Sequence, residues 1–91
     1  MSYNYRTSKN IDRILEKLCK KDKTLYEQLI KKMNEVIYSA DIEHYKNLRY
    51  SLSEYKRVHV GHFVLTFKFN KTENTIDFTD FDHHDNIYTK K

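Results

Sequence analysis

Residues 55–85 read YKRVHVGHFVLTFKFNKTENTIDFTDFDHHD, and this stretch decides the fold. Side chains on a strand alternate between two faces. From Tyr55 to Val60 that alternation puts Val58 and Val60 on one face and Tyr55, Arg57 and His59 on the other. Gly61-His62 can turn the chain. Phe63, Leu65, Phe67 and Phe69 then line one face of a second strand, Asn70 to Asn74 is a polar hairpin loop, and Ile76 and Phe78 continue the apolar face in a third. Period-two apolar runs joined by short polar turns predict a three-strand meander.

The N-terminal half has a different period. Ser8 can cap a helix over 9–20, where Ile11, Ile14, Leu15, Leu18 and Cys19 fall on one helical stripe, which makes Cys19 a core residue. Asp22 can cap a second helix over 23–39, with Leu25, Leu29, Ile30, Met33, Val36 and Ile37 as its stripe. Residues 2–6 can form a short opening strand with Tyr3 and Tyr5 on one face, its direction open. Residues 41–53 read as a loop anchored by Leu48 and Leu52. The whole is one α+β domain, two helices packed on a small, mainly antiparallel sheet, with the other sheet face left for function. The ending Thr89-Lys90-Lys91 leaves little room for a C-terminal helix.

Composition narrows the function. The chain has 91 residues, enough for one domain. Eight Tyr and five Phe argue for a folded chain despite 33% charged residues. The net charge of +4 suggests an anionic partner, nucleic acid or an acidic protein. The charge is uneven: residues 1–40 hold nine Lys/Arg against five Asp/Glu, whereas 76–85 hold four Asp and no Lys or Arg. A solvated helix face is the plain alternative for the helical lysines. Cys19 is the single cysteine, so there is no internal disulfide and no cysteine-based zinc site. The N-terminal MSYNYRTSKN lacks the apolar run of a secretory signal, no run approaches a membrane span, and the expected compartment is the cytoplasm.

Four of the five histidines, His59, His62, His83 and His84, lie within residues 59–84. Histidine transfers protons near neutral pH, and two across a groove can act as base and acid. An arginine beside them, here Arg57, can stabilise charge developing on a phosphate. The combination fits cleavage of RNA by its own 2′-hydroxyl, without a metal or other cofactor. Tyr50, Tyr55 and Tyr88 could stack on unpaired bases or simply pack. The run Asp82-His83-His84-Asp85 has a rival reading as a small metal site, since carboxylates and imidazoles are transition-metal ligands.

The run Tyr55 to Phe67, then Ile76-Asp-Phe and His84-Asp-Asn-Ile-Tyr88, resembles the RelE/ParE superfamily of toxins from type II toxin–antitoxin pairs, most closely its RelE/YafQ-like mRNA endonucleases. The order of strand, two helices and meander agrees over essentially the whole chain. The resemblance implies a metal-independent mRNA endonuclease that works on the ribosome, is neutralised by a cognate antitoxin, and meets operator DNA only through the antitoxin complex. It implies His84, His59, Arg57 and Tyr88 as catalytic residues, and Lys46, Arg49, Lys56, His62 and His83 as RNA-binding residues. His44 matches a loop histidine of the YafQ group. Two positions depart from the family: Val64 stands where many RelE proteins carry arginine, and Asp80 and Asp82 stand on the strand that usually supplies one. A non-catalytic module on the same fold, binding an antitoxin or nucleic acid, is the alternative those aspartates favour.

Overall fold

In the computed structural model, which describes residues 3–45, 47 and 54–89, the elements follow the order expected from the sequence. Strand β1 is Asn4–Thr7, helix α1 Lys9–Lys21 and helix α2 Lys23–Ile37. A 3-10 turn, Ile42–His44, precedes β2 (Lys56–Val60), β3 (Phe63–Asn70) and β4 (Thr75–His83), and a short helix α3 (His84–Thr89) follows β4. Leu48 and Leu52, taken as loop anchors, lie outside the described residues, as do Lys46, Arg49 and Tyr50. Among the described residues no helix is long and apolar enough to cross a membrane.

Both helices begin where the capping residues stand. The Ile11 amide donates to Ser8 Oγ at 3.1 Å, and the Leu25 amide donates to Asp22 Oδ1 at 3.2 Å. Each cap satisfies an amide that the first helical turn leaves without a partner. Ser8 also fastens α1 to the sheet, because its hydroxyl donates to the Thr79 carbonyl at 2.9 Å and its amide to the Phe78 carbonyl at 3.0 Å.

The sheet order is β1-β4-β3-β2, with β1 parallel to β4 and the other pairs antiparallel. The direction of the first strand is thereby settled. It also starts later than 2–6: Tyr3 precedes it and sits edge-on to Phe69 at 5.2 Å. Phe67 and Phe78 are fully buried 6.0 Å apart between the sheet and the helices, with Ile11, Leu29, Val36 and Ile42 around them. Burying one such ring stabilises the fold by about 1.5–3 kcal/mol.

Three expectations need correction. Cys19 is exposed, because the helix stripe that faces the sheet runs through Ile11, Ile14, Leu15 and Leu18 and ends before it. A C-terminal helix does exist: it begins at His84, ahead of the residues read as its limit, and fits within the chain as six residues. The sheet face away from α1 and α2 is also not wholly open. Ile87 of α3 is 2% exposed and forms a second small core with Val64, against which Tyr55 packs.

A β-bulge places the end of β4. The register runs Thr66↔Asp80 and then Phe67↔Phe78, so Thr79 is an extra residue. Its hydroxyl donates to the Thr66 carbonyl at 3.1 Å. Before the bulge the even-numbered Ile76 and Phe78 face the helices; after it the odd-numbered Phe81 does. Without that extra residue, Asp80 and Asp82 would face the core.

Candidate active site

Alternation along β2 carries Val58 and Val60 into the main core and turns Tyr55, Arg57 and His59 to the other face. The β2–β3 register aligns His59 with Val64 and Arg57 with Thr66. On that face β4 ends and α3 begins with His84, whose ring stacks on His59 at a centroid distance of 5.8 Å and 19° between planes. His59 and His84 are 25 residues apart in sequence, and the β4–α3 junction brings them together.

Arg57 Nη1 donates to His59 Nε2 at 3.3 Å. A guanidinium nitrogen can only donate, so Nε2 is the unprotonated nitrogen of a neutral imidazole. Partial burial of His59 is the main force pushing its pKa below the usual 6.5; the Arg57 charge and then His84 add to it. A neutral imidazole next to a fixed cation, with a second imidazole in ring contact, is an arrangement suited to proton transfer at a phosphate.

The other two C-terminal histidines form a separate pair. His62 stacks on His83 with centroids 6.5 Å apart and 18° between planes. His83 is aligned with Phe63 and meets its ring edge at 5.7 Å, on the helix side of the sheet end. His62 and Phe63 border a groove with Asp22, Thr24, Leu25 and Gln28 at the start of α2. Thus the sheet divides the four histidines into two pairs, and the pair His59–His84 shares its face with Arg57. His83 Nδ1 also accepts from the Asp85 amide at 3.3 Å, which helps start α3.

The aspartates that depart from the family pattern are held by local bonds. Asp80 Oδ1 accepts from Asn10 Nδ2 at 2.6 Å and from the Phe81 amide at 2.8 Å. Asp82 Oδ1 accepts from the His83 amide at 2.7 Å and from Asn86 Nδ2 at 3.1 Å. Among the described residues no group of three or more His, Cys, Asp or Glu could hold a metal ion, so Asp82 to Asp85 do not converge on one.

The remaining candidates are scattered. Lys56 lies on the opposite face from Arg57, and its ammonium donates to the Tyr45 carbonyl at 3.2 Å and to Asn47 Oδ1 at 3.0 Å. His44 contacts the Asp41 carbonyl and lies against the Tyr45 ring, next to Glu43, which pairs with Lys71 at the β3–β4 turn. That turn is at the far end of β3 from His59. The backbone of Tyr88 is in α3; its side chain, like Lys46 and Arg49, lies outside the described residues.

Sequence reasoning missed Lys68. In β3, Phe63, Leu65, Phe67 and Phe69 face the helices, so Val64, Thr66 and Lys68 take the side of Arg57 and His59. The alternation that identified the apolar face held the signal for its polar partner. The Lys68 ammonium lies 5.1 Å from the centre of the Tyr55 ring and 3.2 Å from Glu54.

No protein-family model matches the chain. A protein of Methanocaldococcus jannaschii named "Putative toxin RelE4" is 46% identical over 90 residues, covering 98% of this chain and 94% of the relative. Among solved structures, the intact RelBE toxin–antitoxin complex of Escherichia coli matches with a TM-score of 0.70 and 18% identity, covering 90% of this chain and 96% of that one. The archaeal RelE-RelB complex from Pyrococcus horikoshii matches with a TM-score of 0.68 and 14% identity, covering all of both chains. The structural matches show the fold. With near-complete coverage of a relative at 46% identity, the chain belongs to the RelE toxin family.

Proposed function

We propose that this chain is the toxin of a type II toxin–antitoxin pair and cleaves mRNA, in the cytoplasm and on the ribosome, until a cognate antitoxin covers it. The observation that carries the reading is the His59–His84 stack with Arg57 3.3 Å from His59 Nε2 on one sheet face. Solved relatives in complex with antitoxins support the partner. Contact with operator DNA would come through the antitoxin complex.

In this mechanism RNA enters over β2, and its phosphate draws the Arg57 donor away from His59. The freed Nε2 takes the proton of the 2′-hydroxyl. The 2′-oxygen attacks the adjacent phosphorus, and Arg57 stabilises the charge on the phosphorane oxygens. Protonated His84 gives its proton to the departing 5′-oxygen. The products are a 2′,3′-cyclic phosphate and a 5′-hydroxyl end, and each proton taken is matched by one given. The donors and acceptors come from the chain, so the step calls on no metal.

The test is cleavage of mRNA, with ribosomes and alone, by the wild type, His59→Ala and His84→Ala. Cleavage by the wild type and loss in both variants supports the reading. An inert wild type that is also harmless when expressed without an antitoxin refutes it. The four aspartates of residues 76–85 favour a second reading, a non-catalytic module that binds an antitoxin or nucleic acid. Equal growth arrest by the wild type and the double histidine variant would support that module.

A further inference from the structure

We infer that Lys68 is a positioning residue for RNA, binding a backbone phosphate beyond the scissile one. This inference rests on the RNA-cleaving reading of the same face and extends the strand's path from His59 along β2 and β3.

Three observations carry it. First, the register aligns Lys56 with Phe67, which puts Lys68 level with Tyr55. His59, level with Val64, is four positions away along the sheet, about 13 Å at strand spacing. Arg57, level with Thr66, lies between them. On the β2–β3 side the face therefore presents the imidazole pair, a guanidinium and an ammonium in a row along the strands, with Asp77, Asp80 and Asp82 of β4 on the other flank, level with Lys68, Thr66 and Val64. Such a row is what an extended polyanion can follow.

Second, the ammonium is held in place. It lies over the Tyr55 ring at 5.1 Å, and Tyr55 in turn packs on the Val64–Ile87 cluster. A cation over an aromatic face is attracted by the negative face of the ring. The lysine therefore gives up less freedom when a phosphate arrives than a lysine swinging in water.

Third, of the two carboxylates that act on it, Glu54 and Asp77, the one it pairs with can be exchanged. Lys68 and Glu54 are 3.2 Å apart with side chains 41% and 63% exposed. Exposed pairs of this kind are weak, because solvent screens them and both side chains lose freedom in making them. A phosphate offers more acceptor oxygens to the same ammonium, and Glu54 can turn into solvent. Lys68 adds a cation from β3 to the face that carries Arg57 on β2.

The test reads binding without catalysis. A fluorescent single-stranded 2′-O-methyl oligoribonucleotide lacks the attacking hydroxyl, and its affinity is measured by anisotropy over a range of salt concentrations. Each phosphate contact to a single strand contributes a slope of about −0.7 in log K against log salt. Lys68→Gln is expected to make that slope shallower by about 0.7 and to weaken binding several-fold at low salt. Glu54→Gln is expected to tighten binding. Lys71→Gln, the same charge change at the β3–β4 turn, is expected to leave the slope at its wild-type value. An unchanged slope in Lys68→Gln overturns the inference, and so does an equal loss in Lys71→Gln, which would mark a general charge effect. A wild type that cuts mRNA neither with ribosomes nor alone and is harmless when expressed sinks the nuclease reading; a Lys68→Gln variant with wild-type slope sinks this one.

Discussion

Truncating Ile87 to alanine is expected to release α3 while leaving the sheet folded. Ile87 is 2% exposed and rests on fully buried Val64, in a cluster separate from the main core. The helix it anchors has six residues. Isolated helices below about 12–15 residues are marginal in water, so α3 depends on that contact. Burial of an isoleucine side chain stabilises by about 1.5–3 kcal/mol. A cavity in a rigid core would add a further penalty, but a terminal helix can leave and avoid it. The expected loss is therefore about 2 kcal/mol, close to a 30-fold fall in the ratio of docked to undocked α3. Amide hydrogen exchange separates this local event from global unfolding. Amides of α3 should lose about 30-fold in protection while β3 and β4 keep theirs. Because α3 begins with His84, its release should also separate His84 from His59 and slow RNA cleavage, though less than His84→Ala does. Wild-type protection in α3, or an equal loss across β3 and β4, would refute the view that Ile87 holds the helix locally.

Other substitutions probe the site and the core. His59→Ala and His84→Ala should each slow single-turnover RNA cleavage by about a hundredfold or more, the usual contribution of a general base or acid; a loss of only a few-fold would remove either from the proton transfers. Arg57→Gln should raise the His59 pKa toward 6.5, seen as a shifted imidazole titration by NMR; burial, the larger cause, keeps part of the depression. Because His59 titrates below 6.5 in the native state, the unfolded chain binds more protons between the two values. Its contribution to stability should be complete above 6.5, fall as pH drops through that window and level off below it, and His59→Gln should flatten this part of the urea-denaturation profile. Phe78→Ala should cost about 3–5 kcal/mol in urea denaturation, since the ring is fully buried. Gly61→Ala should cost about 1–2 kcal/mol from backbone strain alone, because φ is +61° and nothing lies within 4 Å of the added carbon.

The fold was legible where one rule governed many residues. Ser8 and Asp22 marked helix starts by capping, and the phenylalanines of β3 marked an inward face by alternation. Cys19 was misread because a stripe at i, i+3, i+4, i+7 and i+8 is wider than the contact between helix and sheet. The end of β4 was harder. Alternation from Ile76 and Phe78 puts Asp80 and Asp82 inward, and only the extra residue Thr79 reverses that. A bulge depends on the partner strand as much as on its own residues, so the pattern of β4 alone does not announce it. His59 and Arg57 were legible as neighbours on one face. Their meeting with His84, and its separation from the pair His62–His83, depend on the chain switching from strand to helix between His83 and His84.

The aspartates at positions 80 and 82 gain a physical reason from that switch. A strand that bulges and then turns into a six-residue helix leaves amides and side chains that need acceptors. Asp80 serves Asn10 and the Phe81 amide, tying α1 to the strand after the bulge; Asp82 serves the His83 amide and Asn86, tying the strand to α3. A guanidinium has no acceptor and could do neither. Arginine there would give the face a cation but loosen the junction that presents His84. In this chain the acceptors stay on β4, and positive charge reaches the same face from Arg57 on β2 and Lys68 on β3. The departure from the family pattern is therefore compatible with a working site, provided that the phosphate is held from the β2–β3 side.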